Sequence, residues 1–138
     1  MNGGGVVAGA SAVAIVALLA ARARGSSRRD WRDPRRNFTS NDRATGFARA
    51  GNQCEHIGLF GRRCSAAPSH GDHHYPWSKG GATSLSNFVA LCARHNLSKG
   101  NKVPSKWATR RLERRRRAYF PPGTRTEIVW GTDSRRAG

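Results

Sequence analysis

Asp72-His73-His74-Tyr75-Pro76-Trp77-Ser78-Lys79-Gly80-Gly81-Ala82-Thr83-Ser84-Leu85-Ser86-Asn87-Phe88-Val89-Ala90-Leu91-Cys92-Ala93-Arg94-His95-Asn96-Leu97-Ser98-Lys99 is the stretch that decides the fold. A polar cluster, Asp72 to His74, comes first, and a second polar group, Cys92, His95 and Asn96, closes it. Between them lies a loop punctuated by Pro76 and Gly80-Gly81, which forbid a continuous helix. Asn87 then opens a short apolar run, Phe88 to Leu91. The pattern predicts a hairpin of strands over 69–74 and 88–91, then a short helix from Ala93 to Lys99 stopped by Gly100. The connecting loop is long for a plain hairpin, and loops of about a dozen residues are usually functional.

The three cysteines, Cys54, Cys64 and Cys92, are an odd count, so a disulfide framework would leave one over. A metal knuckle completed by a histidine uses all three. Cys92 and His95 have the usual two-residue gap. Nine residues separate Cys54 from Cys64, longer than a common knuckle, but Gly58 and Gly61 let the loop fold back. Three thiolates and one imidazole make a closed tetrahedral site of the structural zinc type. His56 is a rival fourth ligand, and three buried reduced cysteines are the plainer alternative. A small hairpin-and-helix unit buries little apolar area, so a metal staple has a clear role.

Working outward, Asn41 or Asp42 is placed to cap a short helix over 43–50, ended by Gly51. Ser105 is placed to cap a second helix reaching Ala118, which carries seven basic side chains against Glu113 alone. Lys106, Arg110, Arg111, Arg114 and Arg117, with Lys99, are the candidate phosphate contacts. Trp107 and Leu112 would dock that helix. Thr126 to Trp130 is β-prone and could add an edge strand, and 133–138 reads as frayed. Over the whole chain 25 Lys and Arg oppose 8 Asp and Glu, a formal charge of +17. Such a surface favours polyanions, either nucleic acid or anionic lipid.

The N-terminus is different. Met1 to Ala21 has no charged side chain, and residues 6–21 are nearly all Val, Ala, Ile and Leu. A spanning helix needs about 20 mostly apolar residues. Arginines follow at once, which would hold the following chain in the cytoplasm. A membrane anchor, a secretory signal and a dispensable extension are all open. The expected layout is an apolar segment over 1–24, a flexible basic linker over 25–41, a folded central unit over 42–104 and a basic tail over 105–138.

The central stretch resembles the HNH endonuclease motif of the ββα-metal nucleases. The matching residues are Asp72-His73-His74-Tyr75-Pro76, Gly80-Gly81, Asn87, Leu91-Cys92, His95-Asn96 and Lys99. The resemblance spans roughly Gln53 to Lys102. Two positions depart from the usual pattern: His95 stands for the second knuckle cysteine, and Asn96 for the last histidine.

The fold class implied is a small α+β one. Its ββα-metal core is stapled by zinc, between an N-terminal apolar helix and a basic C-terminal helix. By the resemblance His73 is the general base, a role a near-neutral pKa suits. Asp72 and Asn96 would hold Mg²⁺ or a similar divalent ion through oxygen atoms. Asn87 would tie the two sides of the loop together and orient the base. The activity implied is phosphodiester hydrolysis by the unit over 42–104, with DNA ahead of RNA as substrate; the apolar run over 6–21 adds the expectation that this unit is tethered to a membrane on its cytoplasmic side. The other readings are a zinc-stapled nucleic-acid-binding module without cleavage, and a small basic membrane protein that binds anionic lipid.

Overall fold

The computed structural model describes residues 32–131, together with Ile15. The chain divides into two units, Met1–Trp31 and Arg32–Gly138. Among the described residues no helix is long and apolar enough to cross a membrane. The apolar run over 6–21, apart from Ile15, and the tail over 132–138 lie outside the described residues.

The second unit is a two-stranded antiparallel sheet with helices around it. Helix α1 is Ser40–Arg49, β1 is His70–His73, β2 is Phe88–Leu91, α2 is Ala93–Lys99 and α3 is Lys106–Arg116. The strands pair His70 with Leu91 and His73 with Phe88. All four residues of β2 are buried, as expected of a strand covered on both faces. Val89 and Leu91 join Cys54, Cys92 and Leu112 in one core. Phe88 and Ala90 join Ala50 in the other, with Phe38 and Phe47 packed against it. The Phe88 ring lies between two glycines: a Cβ on Gly46 of α1 or Gly71 of β1 would come within 2.3 Å of it. Those two glycines are what let α1 and β1 close on β2.

α1 begins earlier than the sequence suggested. Thr39 is its cap, and Asp42 completes a capping box, its side chain accepting from the Thr39 N–H. Asp42 is therefore the third helical residue and not the cap. Residues 32–41, expected as part of a flexible linker, are instead folded against the loop after β1, with Asp33 only 1% exposed. That loop contains one 3-10 turn, Trp77–Lys79, closed by Gly80 at φ +99°. A continuous helix is forbidden there, but a single tight turn fits between proline and glycine. Gly81 must be glycine, because a Cβ would sit 1.8 Å from the Tyr75 carbonyl oxygen.

Thr126 to Trp130 forms no strand. It crosses the loop as a strap: the Ala82 N–H donates to the Trp130 carbonyl at 2.8 Å, and the Tyr75 and Trp130 rings stack at 4.3 Å. Its backbone groups are bonded singly and to side chains as well: the Ile128 N–H donates to Glu113, and the Val129 carbonyl accepts from the Ser86 hydroxyl. α3 is capped by Ser105, whose hydroxyl accepts from the Ala108 N–H. Leu112 docks it, whereas Trp107 is 64% exposed.

Candidate active site and metal cluster

The cysteines and one histidine meet. Cys54, Cys64, Cys92 and His95 offer ligand atoms that all lie within 4.8 Å of one another. His95 Nδ1 stands 3.5 Å from Cys54 Sγ and 3.2 Å from Cys92 Sγ. Tetrahedral zinc with its usual bond lengths would separate a sulfur and a nitrogen by about 3.6 Å, so donor chemistry and spacing both fit such an ion. Burial pushes the Cys54 thiol up to about 11. Cys92 is pulled down, chiefly by the backbone N–H of His95 at the start of α2. His56 is not part of this cluster; its ring stacks on His95 at 3.7 Å. Cys54 lies before the hairpin and Cys92 and His95 after it, so an ion here would pin the two sides together.

On β1, Asp72 and His73 face a cleft of about 560 Å³ whose walls include Arg36, Arg43, Trp77 and Lys99. Lys99 Nζ donates to Asp72 Oδ2 at 2.7 Å. Asp72 Oδ1 has no hydrogen bond among the described residues, which leaves one hard oxygen for a divalent cation. Asn96 does not line the cleft, but it lies three residues before Lys99 on α2, so the two share a helix face. His73 is buried, and desolvation holds it below the ordinary histidine range. Its ring tilts against Phe38 at 4.5 Å, and its Nε2 is 2.9 Å from Thr83 Oγ1.

Asn87 is fully buried. Its amide accepts from the Tyr75 N–H at 2.9 Å and donates to the Tyr75 and Ala82 carbonyls. It clamps the two ends of the loop, and none of these bonds reaches the His73 ring. His74 points to the opposite side of the strand, where Nε2 meets Thr109 Oγ1 of α3 at 2.9 Å.

The expected phosphate contacts separate into two groups. Lys106, Arg110, Arg114 and Arg117 are exposed. Arg111 instead donates to the Gly58 and Leu59 carbonyls, which commits part of its guanidinium to the knuckle loop. Arg116, within the same run, is not on the surface at all. It is 1% exposed and pairs with Glu55 at 2.9 Å.

Sequence reasoning missed Thr83, Asp33 and Glu55. Thr83 is fully buried behind His73, and its hydroxyl donates to the Arg35 carbonyl. Asp33 accepts from the Thr83 and Arg35 backbone N–H groups, both at 2.9 Å. The one signal available was scarcity. With 8 acids among 25 bases, an acidic residue in an arginine-rich stretch is worth a question.

A two-stranded hairpin followed by a helix, with a Cys3His cluster at its base and an Asp-His pair on the first strand, defines a small α+β fold of the ββα-metal kind. Residues 60–102 match the family model for HNH endonuclease. No curated protein and no solved structure matches the chain. The family match implies a nuclease-type function acting on nucleic acid. It begins after Cys54, so the metal cluster takes one of its four candidate ligands from outside the matched residues.

Proposed function

We propose that this unit is a metal-dependent HNH-type endonuclease that hydrolyses phosphodiester bonds, in DNA ahead of RNA, with His73 as general base. The observation that carries the reading is the shared cleft: Asp72, His73 and Lys99 line one basic groove, with Asp72 and Lys99 in contact at 2.7 Å. Burial keeps the His73 ring unprotonated near neutral pH, so it can take a proton from an attacking water. Arg36, Arg43 and Lys99 give the groove the charge that seats a phosphate. Asp72 on β1 and Asn96 on α2 are the proposed oxygen donors for Mg²⁺ or a similar ion, which when bound would neutralise phosphate charge and stabilise the leaving oxygen. Cys54, Cys64, Cys92 and His95 would hold a separate structural zinc. The exposed arginines of α3 extend the basic surface beyond the cleft. Membrane tethering through residues 6–21 belongs to the same proposal.

The test is cleavage of supercoiled plasmid and of RNA across a panel of divalent ions, for the parent, His73→Ala and Asn96→Ala. His73→Ala should lose about 10²- to 10⁴-fold in rate and keep its nucleic-acid affinity. Asn96→Ala should need more metal. Parent-like turnover by His73→Ala at neutral pH would remove the general-base assignment.

A further inference from the structure

Thr83 sits 2.9 Å from His73 Nε2 and is itself held from several directions. Its hydroxyl has one proton, and a carbonyl oxygen can only accept. The bond to the Arg35 carbonyl therefore spends that proton. What remains on Thr83 Oγ1 is acceptor capacity, so His73 Nε2 has to be the donor. In the neutral ring the proton is then on Nε2, and the lone pair is on Nδ1. Nδ1 has no hydrogen bond among the described residues. His73 lines the cleft and Thr83 does not.

The carbonyl that fixes this arrangement is fixed in turn. Arg35 Nη2 donates back to the Thr83 carbonyl at 2.6 Å. Asp33 receives the backbone N–H of Thr83 on Oδ2 and that of Arg35 on Oδ1, each at 2.9 Å. Trp77 Nε1 donates to the Asp33 carbonyl at 2.8 Å. Residues 33 and 35 thus hold Thr83 through three bonds across about fifty positions of sequence, and a fourth ties them to each other. Thr83 and Asp33 are both essentially inaccessible to solvent. A threonine needed only to fill space would not have its hydroxyl bonded on both sides.

We infer that Thr83, held by Asp33 and Arg35, is a positioning residue that locks His73 in the Nε2–H tautomer and leaves Nδ1 as the proton-accepting atom of the cleft. The catalytic consequence rests on the general-base reading above; the tautomer does not.

The experiment is nitrogen NMR of the imidazoles in the full chain, free of substrate, at a pH where His73 is neutral, with its signals assigned by difference from His73→Ala. The parent and Thr83→Ser should show a protonated Nε2 and an unprotonated Nδ1. Thr83→Val should show a mixture of tautomers. In cleavage assays Thr83→Val should lose about 10- to 100-fold in kcat, the usual cost of removing a group that orients a functional histidine. KM should stay unchanged, and Thr83→Ser should recover most of the rate.

A parent ring protonated on Nδ1 would overturn the inference, and that measurement needs no variant to fold. A Thr83→Val protein with the parent's tautomer or the parent's kcat would overturn it as well. Parent-like cleavage by His73→Ala, with the Nε2–H tautomer observed, would instead sink the general-base reading and leave the lock standing.

Discussion

Replacing Arg116 by methionine should be among the most damaging single changes available to this fold. Arg116 and Glu55 are 1% and 2% exposed. The guanidinium donates to both Glu55 oxygens, at 2.9 and 3.2 Å, and to the Phe88 carbonyl at 2.7 Å. Methionine fills similar space but strands a buried carboxylate, for which the cost is about 3–5 kcal/mol. Two donors would remain on Glu55, the Tyr119 hydroxyl and the Ala90 N–H, each at 2.8 Å. They place the loss at the low end, about 3 kcal/mol, and the orphaned Phe88 carbonyl adds about 1 kcal/mol. For a unit of this size that is a fall in Tm of roughly 15–30 °C.

Glu55→Gln combined with Arg116→Met removes both charges and keeps an acceptor for Ala90. It should recover about 1–2 kcal/mol relative to Arg116→Met alone. Urea unfolding at fixed zinc concentration measures all four proteins of the cycle. A loss below about 1 kcal/mol for Arg116→Met, or single effects that simply add within about 0.5 kcal/mol, would refute the argument.

Two further outcomes follow from the same geometry. The purified chain should carry about one tightly held zinc, and Cys92→Ser should lose both the metal and much of the cooperative melt; a folded, active parent without zinc would contradict this. His74, 7% exposed and pushed down to about 3 mainly by burial, makes stability depend on pH. Its folded pKa lies below the unfolded value of about 6.5. The stabilisation is therefore complete above that value and is lost as pH falls from about 6.5 towards 3, with a slope of up to about 1.4 kcal/mol per pH unit. His74→Gln should flatten that limb in chemical unfolding, and an unchanged slope would show that other groups carry it.

Much of the ββα unit was readable because its determinants are local. Phe88 to Leu91 is a buried apolar run, Gly100 ends α2, and Ser105 caps α3 through a bond three residues long. Cys92 and His95 sit one helical turn apart, and beyond them the candidates were two cysteines with His56 as a rival. What could not be read depends on contacts distant in sequence. Thr83 meets residues 33 and 35 across about fifty positions, and Arg116 meets Glu55 across sixty-one. The helical period does set Arg116 apart, four residues after Leu112 on the same face, but nothing local in the sequence names its partner. Scarce acids were the missed cue: Asp33, Asp42, Glu55, Asp72 and Glu113 each hold a specific donor. In so basic a chain, an acid marks a place where the backbone or a buried cation needs an anion.

The run Arg114 to Arg117 has a consequence for length variation. Its members are identical in sequence and unequal in position, since Arg116 is buried and its neighbours are not. Deleting any one of the four gives the same product, in which position 116 is still arginine. Inserting a fifth does the same. The interior ion pair is thus insensitive to slippage within the repeat, while Tyr119, which also binds Glu55, moves by one place. Single-residue indels here should therefore uncouple the two anchors of α3, sparing the guanidinium and displacing the phenol. A homopolymer that looks like undifferentiated charge acts in this fold as an alignment buffer for one interior side chain.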